Sequence, residues 1–166
     1  MTTAFVRSGF DAALLGAPAR LVRSDGAEVA LAVRRWHADA AGDDGWLLDR
    51  CTGPAIDLGC GPGRVAVLRR DLFAALPGRW DHVLLADGNI GIGGNPARLL
   101  RRAAALLRPG GTVLVETDPD PTAAWSGTAR VHTAEGLGRP LPWAVVGAGP
   151  LRAVAVGAGF EVAASH

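Results

Sequence analysis

The chain has 166 residues, 49% hydrophobic and 20% charged, with a formal net charge of +1. That length suits one domain with a real core rather than two, and the composition is that of a folded chain, not a disordered one. All 17 basic residues are arginine, which excludes chemistries that need a lysine amine: a Walker-type phosphate loop, Schiff-base catalysis and pyridoxal phosphate.

In chain order, Gly9 to Leu15 predicts a short helix, and Ala19 to Val33 two apolar-rich arms of a hairpin around Ser24-Asp25-Gly26. Arg34 to Cys51 reads as helix in two pieces, broken at Gly42-Asp43-Asp44-Gly45. These residues precede the first core strand, so residues 1–52 are expected to cap the ligand-binding edge of a core formed by 53–166. From Ala55 the pattern alternates: strand Ala55 to Leu58, strand His82 to Ala86, helix Pro96 to Leu107, strand Thr112 to Thr117. Alternation of this kind predicts an α/β fold, a parallel sheet covered by helices. Asn95 is placed to cap the helix, Pro96 suits its first turn, and Pro109-Gly110-Gly111 stops it. Beyond Asp118-Pro-Asp-Pro, antiparallel strands are expected near Thr128 to Thr133 and Trp143 to Val146. A helix from Pro150 to Val156 and a short strand at Glu161 to Ala164 follow.

Cys51 and Cys60 lack C-x-x-C spacing, and His37, His82, His132 and His166 lie far apart, so neither a zinc site nor a disulfide framework is expected. The arginine pairs at Arg34/Arg35, Arg69/Arg70 and Arg101/Arg102 are interspersed with acids, so no nucleic-acid partner is expected. Asp11 interrupts the N-terminal apolar stretch, which argues against a signal peptide and for the cytoplasm. Trp143 to Phe160 is apolar, but Pro150, Arg152 and its glycines point to strand, turn and helix rather than a membrane span.

The sharpest motif is Ala55 to Arg64, AIDLGCGPGR: a strand whose last residues include Asp57, followed by Gly59, Gly61 and Gly63. Glycine at alternate positions lets the backbone turn tightly and approach a ligand where a side chain would collide. In one register, Gly61 to Ala66 also satisfies the dinucleotide pattern G-x-G-x-x-G/A, so a nicotinamide-dependent oxidoreductase stays open. That register leaves Asp57 without a role and Gly59 surplus.

The run Asp57-Leu-Gly-Cys-Gly-Pro-Gly63 resembles the cofactor turn of class I S-adenosylmethionine-dependent methyltransferases of the bacterial, small-molecule type. Leu84 to Gly94 resembles that family's fourth-strand end, and Leu107 to Glu116 its fifth strand with the preceding turn. The resemblance implies a Rossmann-like, mostly parallel sheet with flanking helices, S-adenosylmethionine as cofactor, and methyl transfer to a small-molecule acceptor. It implies cofactor contacts at Asp57, Gly59, Cys60, Gly61 and Gly63, with Asp71, Asp87, Gly88 and Asn89 completing the set, and no metal. Glu116, Asp118 and His132 are candidate bases only by proximity, and Trp36, Trp46, Trp125 and Trp143 are candidate acceptor-pocket walls or core residues.

The family places a helix and a second strand, ending in a ribose-binding acid, after the glycine turn. Here Val65 to Phe73 follows at once, and it resembles the family's third strand with Asp71 as the adenine-side acid. One residue reaches ~3.5 Å and two strand spacings need roughly 9.6 Å, so this segment cannot take the third strand's usual place. Arg64 to Leu76 instead offers a helix with Val65, Leu68, Leu72 and Leu76 on one face, leaving Asp87 as a substitute ribose acid and Asp81 at the wrong end of its strand. The sequence also stops soon after Gly159-Phe-Glu-Val, where the family adds an antiparallel strand. An abbreviated fold with an unpaired edge is therefore expected, and a non-catalytic, cofactor-binding or protein-interaction remnant stands as a rival reading.

Overall fold

The computed structural model describes residues 9–39, 42–61 and 71–164. Its architecture is mixed α/β, with a parallel sheet and a larger antiparallel one. The parallel sheet runs β3 (Ala55–Asp57), β4 (Trp80–Leu85), β5 (Leu107–Val115), with β4 in the middle. Helix α4 (Pro96–Leu106) returns the chain from β4 to β5 and packs Leu99, Leu100, Ala103 and Leu106 on the sheet. Those four recur at helical spacing, which is why the segment is a helix and why one stripe of it is dry. Its start is fixed by Asn95, whose Oδ1 accepts from the Arg98 amide at 2.9 Å, and by Pro96 at the first position.

The end of α4 differs from expectation. Leu107 is already extended and pairs with Trp80, and Thr112 pairs with His82, so Arg108 to Gly111 bulges opposite a single residue. Gly110, at φ +79°, makes that bulge possible. Pro109-Gly-Gly thus starts the strand irregularly instead of forming a separate loop.

The antiparallel sheet is centred on β6 (Ala124–Thr133). On one side it pairs with β1 (Arg20–Arg23), which pairs in turn with β2 (Glu28–Ala30); on the other it pairs with β7 (Gly136–Leu137) and β8 (Leu141–Val146). The N-terminal hairpin is therefore a structural arm of this sheet. Asp25 fixes its turn by accepting from the Ala27 amide and pairing with Arg23. Two isolated bridges, Ile92 to Trp143 and Asp118 to Gly147, fasten the two sheets together.

Two dry clusters result. Leu58, Val83, Leu85, Ile90 and the α4 stripe join Ala144 and Val146, and α5 (Ala148–Gly157) lies against them through Leu151, Val154 and Ala155. The second gathers Ala13 of α1 (Asp11–Leu14), Leu21, Val33, Ala129 and Val131. Trp36, Trp125, Trp143 and Phe10 pack against it, which makes three of the candidate pocket tryptophans core residues. Trp46, the fourth, lies under the Arg50 guanidinium.

Other expectations are corrected. The two helical pieces after the hairpin are α2 (Val33–His37) and α3 (Asp43–Leu48), so Asp43-Asp44-Gly45 lies inside a helix rather than breaking one. Of the helix expected over Arg64 to Leu76, residues 64–70 lie outside the described ones, and the rest is not helical: Leu72 and Phe73 form a turn, because Asp71 Oδ1 accepts from the Phe73 amide and closes the chain on itself. No strand forms at Glu161 to Ala164. No helix among the described residues is long and apolar enough to cross a membrane.

Candidate functional site

Parallel pairing in register aligns the carboxyl ends of three strands. Asp57 lies opposite Leu84, Val115 opposite Leu85, and the Glu116 amide donates to the Leu85 carbonyl at 2.9 Å. Asp57, Asp87 and Glu116 therefore stand at or just past the ends of neighbouring strands. In open α/β sheets that edge is where ligands bind, because the helices leave a crevice there.

The glycine turn begins immediately after Asp57. Gly59 has φ +91° and Gly61 φ +60°, both in the left-handed region. A Cβ on Gly59 would lie 2.7 Å from the Asn89 amide nitrogen and 2.8 Å from Ile92 Cδ1, so this glycine lets the turn close against the loop after β4. Asn89 completes the contact by donating its side-chain N–H to the Gly59 carbonyl at 3.0 Å. Gly61 differs: among the described residues a Cβ there would meet only Leu14 Cδ2, at 3.7 Å, which is ordinary van der Waals contact. Toward those residues its outer face is open, as a turn that cradles a ligand requires.

Asp57 lies at the floor of this edge. The residue keeps exposed surface, yet protein closes round the carboxyl on most sides, and that desolvation, with the negative charge of Asp87, pushes it up to about 6. No hydrogen bond from a described residue offsets the shift. The Cys60 thiol is raised by burial first and by Asp57 second, which places it beside the same carboxyl.

Asp87 is itself in the left-handed region, at φ +52°, a conformation that Asp tolerates better than most residues. Its amide donates to Glu116 Oε2 at 2.7 Å. Burial is the largest influence on its carboxyl and raises it, opposed by Arg35 and reinforced by Glu116 and Asp44.

Arg35, from α2, enters this acidic edge. Its guanidinium donates to Glu116 Oε1 at 2.8 Å and Oε2 at 3.2 Å and to Asp44 Oδ1 at 2.5 Å, and it lies 3.5 Å from Asp87 Oδ1. The fork bridges α2, α3 and the ends of β4 and β5 in one part-buried network. Asp44 first, then Glu116, holds Arg35 protonated more firmly than an ordinary arginine. Sequence reasoning missed Arg35 and Asp44. The two Arg35–Glu116 partners are 81 residues apart, and a simple Arg-Arg pair carries no sign of which acid it will meet.

The predicted site residues therefore divide. Asp57, Gly59, Cys60, Gly61, Asp87, Gly88 and Asn89 come together at the sheet edge; Gly63 lies outside the described residues. Asp71 does not join them: it opens a segment whose Phe73 packs under Arg98 and whose Leu72 and Ala74 carbonyls accept from Arg102, which holds it against α4. The glycine-rich loop after Asp87 is partly structural. A Cβ on Gly91 would sit 2.1 Å from the Ala144 carbonyl, and one on Gly94 would press on Pro142 and Trp143, so these glycines serve packing on β8. A Cβ on Gly88 would meet nothing within 4 Å among the described residues.

Among the candidate bases, Glu116 is spent on Arg35 and the Asp87 amide, and Asp118 caps its own turn through the Asp120 amide. His132 lies exposed on β6, paired across strands with Arg20. Asp81, at the amino end of β4, pairs with Arg108, as its position required.

Neither protein-family models nor curated proteins give a match to this chain. Among solved structures, a SAM-dependent methyltransferase from Bacteroides fragilis, in complex with S-adenosyl-L-homocysteine, is similar with a TM-score of 0.72 over 95% of this chain and 90% of that one. At 17% identity the likeness speaks for the architecture, and the chain shares that methyltransferase's Rossmann-like α/β fold.

Proposed function

We propose that this chain binds S-adenosylmethionine at the carboxyl ends of β3 and β4 and transfers its methyl group to a small-molecule acceptor. The observation that carries the reading is the glycine turn, closed against Asn89 at Gly59 and open toward the described residues at Gly61, joined to the desolvated carboxyl of Asp57. The donor set fits the cofactor. A raised carboxylate without a hydrogen-bond partner among the described residues suits a cationic amine, a turn open at Gly61 toward those residues suits close approach of the methionine part, and Asp87, next to Gly88, suits a ribose hydroxyl. The Bacteroides fragilis neighbour, which binds S-adenosyl-L-homocysteine on the same fold, supports the same choice.

S-adenosylmethionine supplies an activated methyl with its own leaving group, so the protein's task is placement. Asp57 fixes one end of the site, and Asn89 holds the turn through the Gly59 carbonyl. Arg35 fixes the Asp87 and Glu116 carboxylates and ties α2 to the edge. At this edge Asp87 and Glu116 are held by Arg35 and Asp57 is assigned to the cofactor's amine, so no described acid there is left to act as a base, which suits an acceptor that loses its proton to solvent. Cofactor binding without turnover is the second reading, favoured by one observation: among the described residues β3 pairs only with β4, so no neighbouring strand brings a further acid.

Calorimetric titration with S-adenosylhomocysteine and NADH tests the binding reading. Saturable binding of the first and none of the second is expected. Absence of S-adenosylhomocysteine binding at millimolar concentration would overturn it, and NADH binding at the same turn would favour the oxidoreductase.

A further inference from the structure

One concavity among the described residues lies away from the glycine turn. It has a volume of about 890 Å³ and lies between the β1–β2 hairpin, the start of α2 and the end of β6, with Ala19, Leu31 and Val33 among its walls. Its charged lining is of one sign: Arg20, Arg34 and Arg35, with His132 beside them and no acid. A second hollow of about 480 Å³, which also holds Leu15 and His37, shares Gly16, Val33 and Arg34 with the first, so Arg34 stands where the two meet.

These cations are not equivalent. Arg20 is paired with Glu28 at 3.2 Å, and Arg35 is committed to Asp44 and Glu116. Arg34 is exposed and meets no acid among the described residues. An apolar hollow in the size range of small-molecule sites, with one uncommitted guanidinium at its rim, is complementary to a compact apolar body bearing a single anionic group. Position adds the second argument. Arg35 is among the residues that line this hollow, and its guanidinium contacts Asp87 and Glu116, so one residue adjoins both the hollow and the proposed cofactor edge.

We propose that this concavity is the acceptor site and that it takes a small molecule carrying a carboxylate or phosphate, held by Arg34. As an acceptor site it rests on the methyl-transfer reading; as an anion site it stands by itself. The probes are benzoate and phenyl phosphate, with benzamide and benzylamine as neutral and cationic counterparts of the same shape. Titrations followed by amide shifts of the labelled full chain should show saturable binding of at least one anion in the millimolar range, with the shifts centred on Gly16, Leu31, Arg34 and Thr133. Benzamide and benzylamine should be at least about tenfold weaker, and Arg34→Gln should weaken the anion by about tenfold or more. Which anion binds more tightly distinguishes the carboxylate from the phosphate source.

The proposal is overturned if neither anion binds, if benzylamine binds as well as benzoate, or if Arg34→Gln leaves anion binding unchanged while retaining the parent's melting temperature. S-adenosylhomocysteine titration of the same samples keeps the two readings apart. Anion binding that depends on Arg34, without S-adenosylhomocysteine binding, refutes methyl transfer and leaves the anion site. S-adenosylhomocysteine binding without anion binding refutes the anion site alone.

Discussion

Asp57 carries an unfavourable charge in the folded chain. Its folded value of about 6 lies above the ordinary 3.8, so between those pH values the folded state holds more proton than the unfolded one. Stability then falls as pH rises through this window, and the cost is fully present above about 6. Asp57→Asn removes it. The variant should gain about 1 kcal/mol in urea unfolding at pH 7.5, after allowance for solvent screening of an exposed group, and gain nothing near pH 3. Equal gains at both pH values would refute the assignment. A ligand whose cation meets the ionised carboxylate should also bind more tightly as pH rises through about 6. Gly61 offers a separate test at this scale. Because among the described residues a side chain there meets only Leu14, Gly61→Val should cost the fold about 1–2 kcal/mol of left-handed strain while abolishing S-adenosylhomocysteine binding. Unchanged affinity in calorimetry would count against the turn as a cradle.

At the scale of elements, Arg35 ties helix to sheet. Replacing it with Met leaves Glu116 and Asp87 facing each other without a counter-ion. Hydrogen bonds to charged groups contribute about 1.5–3 kcal/mol each, and part-exposure reduces that, so a loss of about 2 kcal/mol is expected in chemical denaturation. Hydrogen exchange should quicken in Val33–His37 while α4 keeps its protection. Loss spread evenly over both helices would contradict the latch. Asn95→Ala removes the cap of α4 and should cost about 1 kcal/mol, read as a lowered melting temperature. These elements were unequally legible in the sequence. The boundaries of α4 were plain because cap, proline and apolar period agreed at one place. The end of α2 and the start of α3 were not, because Arg35, Asp44 and Glu116 are local surface residues until the fold brings them together. Leu72 and Leu76 misled for the opposite reason: their apolar spacing suggested helix, while packing on the core beside α4 and the Asp71 turn decided otherwise.

For the whole molecule, motifs placed the ligand edge, and topology placed the N-terminal segment. Strand, glycine turn and alternation of β3, β4, α4 and β5 pointed to one parallel layer, and its carboxyl edge followed. The extent of the antiparallel sheet was hidden, since pairing of β1 with β6 joins residues more than a hundred positions apart. So was the concavity beside Arg34, which exists only after that pairing. The same topology brings residues of the expected cap beside two candidate sites, with Arg35 adjoining both the proposed cofactor edge and the apolar hollow. The claim that joins these parts is that the glycine turn holds S-adenosylmethionine. It is tested most directly by mapping S-adenosylhomocysteine onto the amide spectrum of the labelled chain. Saturable shifts at Gly59, Gly61, Asp87 and Gly88, with α5 unmoved, are predicted; no shifts, or shifts gathered away from the ends of β3 and β4, would contradict it.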